Sequence, residues 1–517
     1  MAIDIMEPRQ IAIKRQPSFT ADSADIKLAF AVGILGFLFI RWVFFEFRGF
    51  GVALFTMFFC VTAMIYLVRK DIFKMKPGLF WMGAVLFVGL SYGVYDNTGL
   101  RPWSNLFLIC GAAYAVTAAA GRLIGGQTGA WFFMDGVISM VRTPFRHFDL
   151  QVRAFAQFFT QKKTNHRQII SILMAFILSG LIFLLVVPLL LSADSGGFSN
   201  IIGGLLEQFD WLKEEAMFNV MNLILAIPVS LYFFGLLAGN YYWRDAEALK
   251  LENLKSNYQQ LKIVPLMTSV LTLIMVIGLY IVFIASQLPY YFSAFTGKLP
   301  NGMQIYSEYA RKGFFELIQI AVINLIILGL TNAFSKVTQE RKSLIKWLNI
   351  AMATVTMLFI ITAFSKMILY ISAYGLSMNR LLPCVLMIWL AGIFVGFILL
   401  QIHAFDLFKT GVIAGVILFC ALIGSNPDSL VVNYNADRYL EGTLNQFDVS
   451  MLYRARAGGI STAMRLLEVT EDSRMKSALS EYLFDQSNNL SRKAGTMQDT
   501  LENIIGRRMI LAVKQAP

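Results

Sequence analysis

The sequence predicts an all-α protein, a polytopic transmembrane helix bundle of about eleven spans followed by a small C-terminal helical extracytoplasmic domain. Three observations carry that expectation. Of the 517 residues, 57% are hydrophobic and only 15% charged, whereas charged residues make up about a quarter of a soluble domain. The apolar residues fall into runs long enough for a bilayer core of about 30 Å, which takes roughly 20 helical residues to cross. The lysines and arginines crowd into alternate connections between those runs.

Taken in order, the runs lie at about 28–45, 50–68, 78–95, 103–120, 168–191, 218–239, 263–288, 314–335, 347–372, 381–402 and 410–424. Residues 1–27 form a mixed-charge cytoplasmic segment. The apolar run that follows is too long for a signal peptide and lacks a small-residue cleavage site, so the first span is expected to be an uncleaved anchor. Connections on the N-terminal side of the membrane hold 24 Lys and Arg, those on the opposite side 7. The positive-inside rule then puts the N-terminus in the cytoplasm, and eleven spans put residues 425–517 outside it. The net charge of +12 reflects cations beside anionic lipid, not nucleic-acid binding.

Within the cytoplasmic connection from 121 to 167, Phe145, Phe148, Val152, Phe155 and Phe159 recur at helical spacing, with Pro144 as a helix start. Arg146, Asp149, Gln151, Arg153 and Gln157 fall elsewhere on the wheel. One helix near 144–160 is expected, lying in the inner-leaflet interface or packed against the bundle. A second, polar helix is expected at 243–262. The pairs Gly89/Gly93, Gly235/Gly239, Gly392/Gly396 and Gly411/Gly415 allow close helix approach. No internal repeat marks an inverted-repeat transporter.

The last 93 residues carry eleven basic and eleven acidic residues, the composition of a small soluble domain. Ser425-Asn-Pro-Asp-Ser is turn and cap chemistry. Segments 449–457 and 460–467, a face of Met475, Ala478, Leu479, Tyr482 and Leu483 capped by Asp472, and a face of Met497, Leu501, Ile504 and Ile505 make about four short helices.

Ionisable residues inside spans mark function by default. Arg41 and Lys366 are internal, yet both lie toward the outer boundary at 1.5 Å per residue. Glu46, Arg311, Lys312, Glu316 and Arg380 share that level, while Lys366, Tyr370 and Tyr374 form one stripe rising to it. Tyr309 stands beside them, and Asn324, midway down its span, needs an interhelical partner. These residues form either a rim for an anionic headgroup, envelope polymer or protein, or a set of snorkelling cations and interfacial tyrosines.

The absence of midplane carboxylates disfavours an ion-coupled transporter. Nucleotide-binding, zinc-protease and hydrolase motifs are missing. The histidines, His147, His166 and His403, are far apart in sequence, and the four cysteines sit in apolar runs without metal spacing. No catalytic residue, cofactor or metal is expected. A lipid-sugar-dependent glycosyltransferase would need a larger first outer loop than residues 46–49 provide. The expected role is sensing, scaffolding or accessory binding, with membrane lipids and a membrane or envelope protein as partners. The alternatives are a transporter or lipid flippase, or an enzyme acting on a lipid-linked substrate.

Three segments carry a resemblance: Tyr309 to Leu317 (YARKGFFEL), Leu369 to Leu376 (LYISAYGL) with Arg380, and Asn426-Pro-Asp leading to Val432 to Asn435 (VNYN). Over roughly residues 260–450 they resemble an uncharacterised family of bacterial multi-pass membrane proteins catalogued as a domain of unknown function. The first half of the chain resembles it only as a hydrophobic multi-span region. Family members often carry arginine in place of Lys312 and threonine in place of Ser377. The resemblance implies a bacterial cytoplasmic-membrane location and no established activity. All three segments map to the outer ends of predicted spans, which implies a shared outer vestibule roofed by the C-terminal helices.

Overall fold

A computed structural model describes residues 19–159, 214–242, 264–296, 314–334 and 342–515, with isolated positions between 175 and 193. Among the described residues the secondary structure is helical, and nine helices are long and apolar enough to cross a membrane. They are Ser23–Phe44, Gly49–Arg69, Met75–Val94, Met221–Tyr242, Leu266–Ser286, Phe314–Asn332, Ser343–Tyr374, Met378–Leu400 and Leu407–Gly424. A tenth expected run, 103–120, is the helix Arg101–Ala119. It is less apolar because Arg101, Ser104, Asn105 and Thr117 interrupt it. The expected span at 168–191 and the expected helix at 243–262 lie outside the described residues.

The chain divides into two units, one of Met1–Phe37 and Thr143–Gly239, the other of Leu38–Arg142 and Asn240–Pro517. In the first unit, helix α1 is Ser23–Phe39. The single helix expected near 144–160 is broken in two, with a turn at residues 147–149 between Thr143–Arg146 and Leu150–Phe159. The longer piece packs inward through Gln151, not through a phenylalanine stripe alone. Gln151 is 3% exposed, and its amide nitrogen Nε2 donates to Ala29 O at 3.0 Å and lies 2.6 Å from Ser230 Oγ. Phe155 and Phe158 meet Phe30 edge-on, while Phe145 is exposed. A buried amide with partners therefore overrides the wheel that placed Gln151 on the polar side. Gly235 and Gly239 serve close approach as expected, since a Cβ on either would collide with Pro144 O or His147 Nδ1.

The second unit contains α2 (Gly49–Arg69), α3 (Met75–Val94) and α4 (Arg101–Ala119). Here Gly89 and Gly93 bring α3 against Thr56 and Ala53 of α2. Helices α5 (Leu266–Thr296), α6 (Phe314–Phe334), α7 (Lys342–Tyr374) and α8 (Met378–Leu400) surround a core that includes Leu273, Phe314, Met352, Phe359, Met387 and Phe394. Helix α9 (Leu407–Gly424) follows. Cys60 and Cys384 are buried, and Cys110 and Cys420 half-buried, all as free thiols.

The residues after α9 fold into α10 (Pro427–Leu440), α11 (Ser450–Ala455), α12 (Ile460–Val469), α13 (Ser473–Lys493) and α14 (Leu501–Gln515). They share a core of Val432, Leu452, Ile460, Leu466, Leu479 and Tyr482. Asp472 caps α13, accepting from Arg474 N at 2.9 Å. Helix α10 was not among the four expected, because its buried face mixes Val431, Val432 and Ala436 with Asp428 and Asn435 and it begins directly from the predicted turn. The face expected on α14 is also rotated. Met497, Leu501 and Ile505 are exposed, whereas Asn503 and Ile510 are buried. The cause is Arg507, whose guanidinium pairs with Asp499 and donates to Leu490 O at 2.9 Å, fixing the helix about its axis.

Candidate functional site

The C-terminal helices pack onto the turns between α3 and α4 and between α7 and α8, and a cluster of charges lies at the first of these. The turn between α3 and α4 carries Asp96, which is 3% exposed. Three cations converge on it. Arg101 Nη2 lies 2.8 Å from Oδ1, Arg456 Nη1 lies 3.0 and 3.2 Å from the two oxygens, and Lys493 Nζ lies 2.8 Å from Oδ2. Burial alone would raise the acid's pKa, but the charges of Arg456, Lys493 and Arg101 pull it down to about 2. The Asp96 N–H donates to Glu502 Oε2 at 3.0 Å, and Asn426 Nδ2 donates to Oε1 of the same carboxylate at 2.7 Å. Burial, opposed by these bonds, raises the Glu502 pKa.

Helix α10 straps this turn to the one between α7 and α8. At its start Asp428 Oδ2 accepts from Thr98 N at 2.7 Å and Gly99 N at 2.9 Å. Near its end Asn435 exchanges two hydrogen bonds with Leu376, at 2.7 and 2.8 Å. Arg438 Nη1 donates to Ile371 O at 3.1 Å and Nη2 to Ser372 O at 2.8 Å, while Arg380 Nη1 donates to Tyr374 O at 2.9 Å and to Gly375 O. A helix C-terminus leaves four carbonyls without intrahelical donors, and two guanidinium groups supply them at the end of α7. The Arg380 guanidinium also lies 4.2 Å from the Tyr370 ring centre.

On the other side of the Asp96 turn, the C-terminal chain closes over α2. Phe50 N donates to Asp499 O at 2.9 Å and Gly51 N to Met497 O at 2.8 Å, filling two first-turn donors. Gly49 has φ +72°, and a Cβ there would meet the Gln498 carbonyl carbon at 2.4 Å, so only glycine fits. Between these parts lies a small, partly open recess of about 20 Å³, lined by residues among which are Arg48, Asn97, Leu100, Arg101, Ser104 and Ile423. Arg48 Nε, Arg101 Nε and both polar atoms of the Asn97 amide are buried and make no hydrogen bond to protein. Arg48 Nε does sit 3.3 Å from Glu46 Oε2, an ion pair without hydrogen-bond alignment.

The residues singled out in the sequence distribute as follows. Glu46 pairs with Arg48 at the rim of this recess. Arg41 is exposed on the π-helical turn Ile40–Phe44 that ends the first span. Lys366 is 2% exposed and faces the charge of Glu316, while Tyr370 is half-buried and Tyr374 exposed. Tyr370 and Tyr374 meet edge-on with centres 5.4 Å apart. Asn324 is buried and has its interhelical partners, accepting from Tyr280 Oη at 2.7 Å and donating to Thr356 Oγ1 at 2.9 Å. Tyr309, Arg311 and Lys312 lie outside the described residues. Arg380 is turned onto carbonyls, which makes it a helix cap. Sequence reasoning passed over Asp96, Asn97, Arg48, Arg101, Arg456, Lys493 and Glu502, although a lone acid in the short 95–100 turn was a visible signal.

Nine membrane-length helices among the described residues, which are helical throughout their regular structure, define a multi-pass membrane protein. Over residues 82–462 it matches a family described as a domain of unknown function (DUF4153), and the chain belongs to that family. The match takes in α3, α4 and the Asp96 turn, well before the segments that carried the resemblance. No curated protein and no solved structure matches.

Proposed function

We propose that this is a bacterial cytoplasmic-membrane protein of non-enzymatic sensing, scaffolding or accessory type. In this reading the N-terminus is cytoplasmic, residues 425–517 form an extracytoplasmic helical domain, and the capped end binds an envelope component, lipid or partner protein. One observation carries it: a connected group of charges, Asp96 with its three cations, Glu502 and Asp428, lies where the C-terminal helices hold the turn between α3 and α4. Polar chemistry at the membrane boundary suits recognition of something presented there. The alternatives of transport or lipid flipping draw less support, because Phe314, Met352, Phe359, Met387 and Phe394 fill the space among α5 to α8. A membrane enzyme would need a reacting group facing a substrate, and the Asp96 oxygens are already engaged by cations.

The test is a topology and capture experiment in intact cells. A tag after Pro517 is expected to react with membrane-impermeant reagents, and a photo-crosslinker at exposed Phe484 is expected to trap an envelope component. A C-terminus protected from outside reagents would overturn the orientation and with it the envelope-facing role.

A further inference from the structure

We infer that the recess between the start of α2 and the start of α4 binds a phosphate-type anion through Arg48, Asn97 and Arg101. The inference deepens the proposed binding role by naming the chemistry of its ligand. The first ground is hydrogen bonding. Buried donors almost always find acceptors, and Arg48 Nε, Arg101 Nε and Asn97 Nδ2, on three residues that line one recess, make no hydrogen bond to the protein. The second ground is charge. Asp96 is a single carboxylate surrounded by Arg101, Arg456 and Lys493, and Arg101 also feels the like charges of Arg456 and Arg48. Glu46 neutralises Arg48 only at the rim. On the recess wall itself Arg48 and Arg101 stand with Asp96, whose oxygens are already engaged by Arg101, Arg456 and Lys493.

The third ground is the character of the donors. Guanidinium groups present planar forks that match phosphate oxygens, and the amide of Asn97 adds a neutral donor. Helix α4, which runs 19 residues from Arg101, adds the positive end of its dipole on the same side. Asn97 Oδ1 also lies there unpartnered, which suits a ligand with a hydroxyl donor next to its phosphate. Leu100 and Ile423 supply an apolar wall. Such chemistry fits the phosphate of a lipid headgroup or a free phosphate, and the two are separated by experiment.

The full-length protein would be reconstituted in phosphatidylcholine nanodiscs and its thermal unfolding followed with inorganic phosphate added, then in nanodiscs containing phosphatidylglycerol. The midpoint is expected to rise with one or both. A response to phosphatidylglycerol alone assigns the site to headgroups, and a response to inorganic phosphate assigns it to a free anion. Arg48→Gln and Asn97→Leu are expected to weaken the response roughly tenfold each, whereas Arg465→Gln, on the surface pair with Asp437, should leave it intact. If Asn97→Leu does not fold, Arg48→Gln at the rim still decides. Absence of any response in the unmodified protein, or an undiminished response in Arg48→Gln, overturns the site. Binding in nanodiscs does not depend on cellular orientation, so a protected C-terminus with intact phosphate binding would sink the envelope-facing role and leave the site standing.

Discussion

Asn435 and Leu376 are bound face to face: the Leu376 N–H donates to Asn435 Oδ1 at 2.7 Å, and Asn435 Nδ2 donates back to Leu376 O at 2.8 Å. Both residues are buried, Asn435 at 1% exposure. One side chain thus completes the backbone of the α7–α8 turn and fixes the far end of the α10 strap. Asn435→Ala would leave a buried N–H and C=O unmet, a loss of about 2–4 kcal/mol. Limited proteolysis is expected to release the helices after residue 427 sooner in this variant. Asn435→Asp keeps the acceptor and loses the donor, so it should fall between. Equal protease resistance in all three proteins would show that the strap is held elsewhere.

Asp96 organises the near end of the same strap. Replacing it with Ala would leave half-buried Arg101, Arg456 and Lys493 together without a counter-charge, a loss below the roughly 3–5 kcal/mol that breaking a fully buried pair costs. Adding Arg456→Met to Asp96→Ala removes one stranded cation and is expected to recover part of that loss. Denaturant unfolding of the single and double variants measures the coupling. Simple additivity of the two substitutions would show that the groups do not act together.

The bundle was legible because its signal is local. Twenty apolar residues announce a span wherever it packs, and the helix ends agree with the apolar runs to within a few residues. Partners were not legible. Asp96 meets Arg456 and Lys493 across 360 and 397 residues, and nothing in local periodicity encodes such a pairing. Where one polar side chain was pinned from afar, the local wheel misled: Arg507 turned α14 against its apolar stripe, and Gln151 faced inward. Arg380, a binding candidate in the sequence, donates to Tyr374 O and Gly375 O; a cation at a helix end can answer either a ligand or the helix's own carbonyls, and local sequence does not choose between them.

Two glycines of similar conformation should respond differently to alanine. Gly375 has φ +77° and Gly442 φ +71°, but a Cβ on Gly375 would meet Asn435 Oδ1 at 2.4 Å, whereas Gly442 has nothing within 4 Å. Gly442→Ala is expected to cost about 1 kcal/mol from backbone strain. Gly375→Ala adds displacement of the Asn435 latch and should cost at least twice as much. Comparable melting temperatures for the two variants would contradict the latch.

Asn324 ties α5, α6 and α7 together within the span, between Tyr280 and Thr356. Thr356 retains a bond to its own helix at Met352 O, 2.7 Å away, which softens the loss of its partner. Asn324→Leu is therefore expected to cost about 0.6–1.7 kcal/mol, the scale found for interhelical bonds in membranes. Unfolding in mixed micelles would measure it, and a loss beyond about 3 kcal/mol would indicate a role that hydrogen bonding alone does not explain.

Asp135, in the connection between α4 and residue 143, gives the clearest pH dependence. Its Oδ1 accepts from Ile124 N at 2.8 Å, while Oδ2 is buried without a hydrogen-bond partner. Burial drives its pKa up to about 6, only partly offset by the Ile124 bond. An acid raised on folding binds protons more tightly when native, so its contribution is complete below the unfolded value of about 3.9 and is lost as pH rises through about 6. Above that pH the folded protein holds a buried carboxylate against its preference. Asp135→Asn keeps an oxygen for Ile124 and cannot ionise. The variant is expected to melt higher than the unmodified protein at pH 8, with the difference shrinking to nothing as the pH falls from 6 to 4. A pH series of melting temperatures decides the matter, and a difference that stays constant from pH 4 to 8 would show that Asp135 does not titrate in this range.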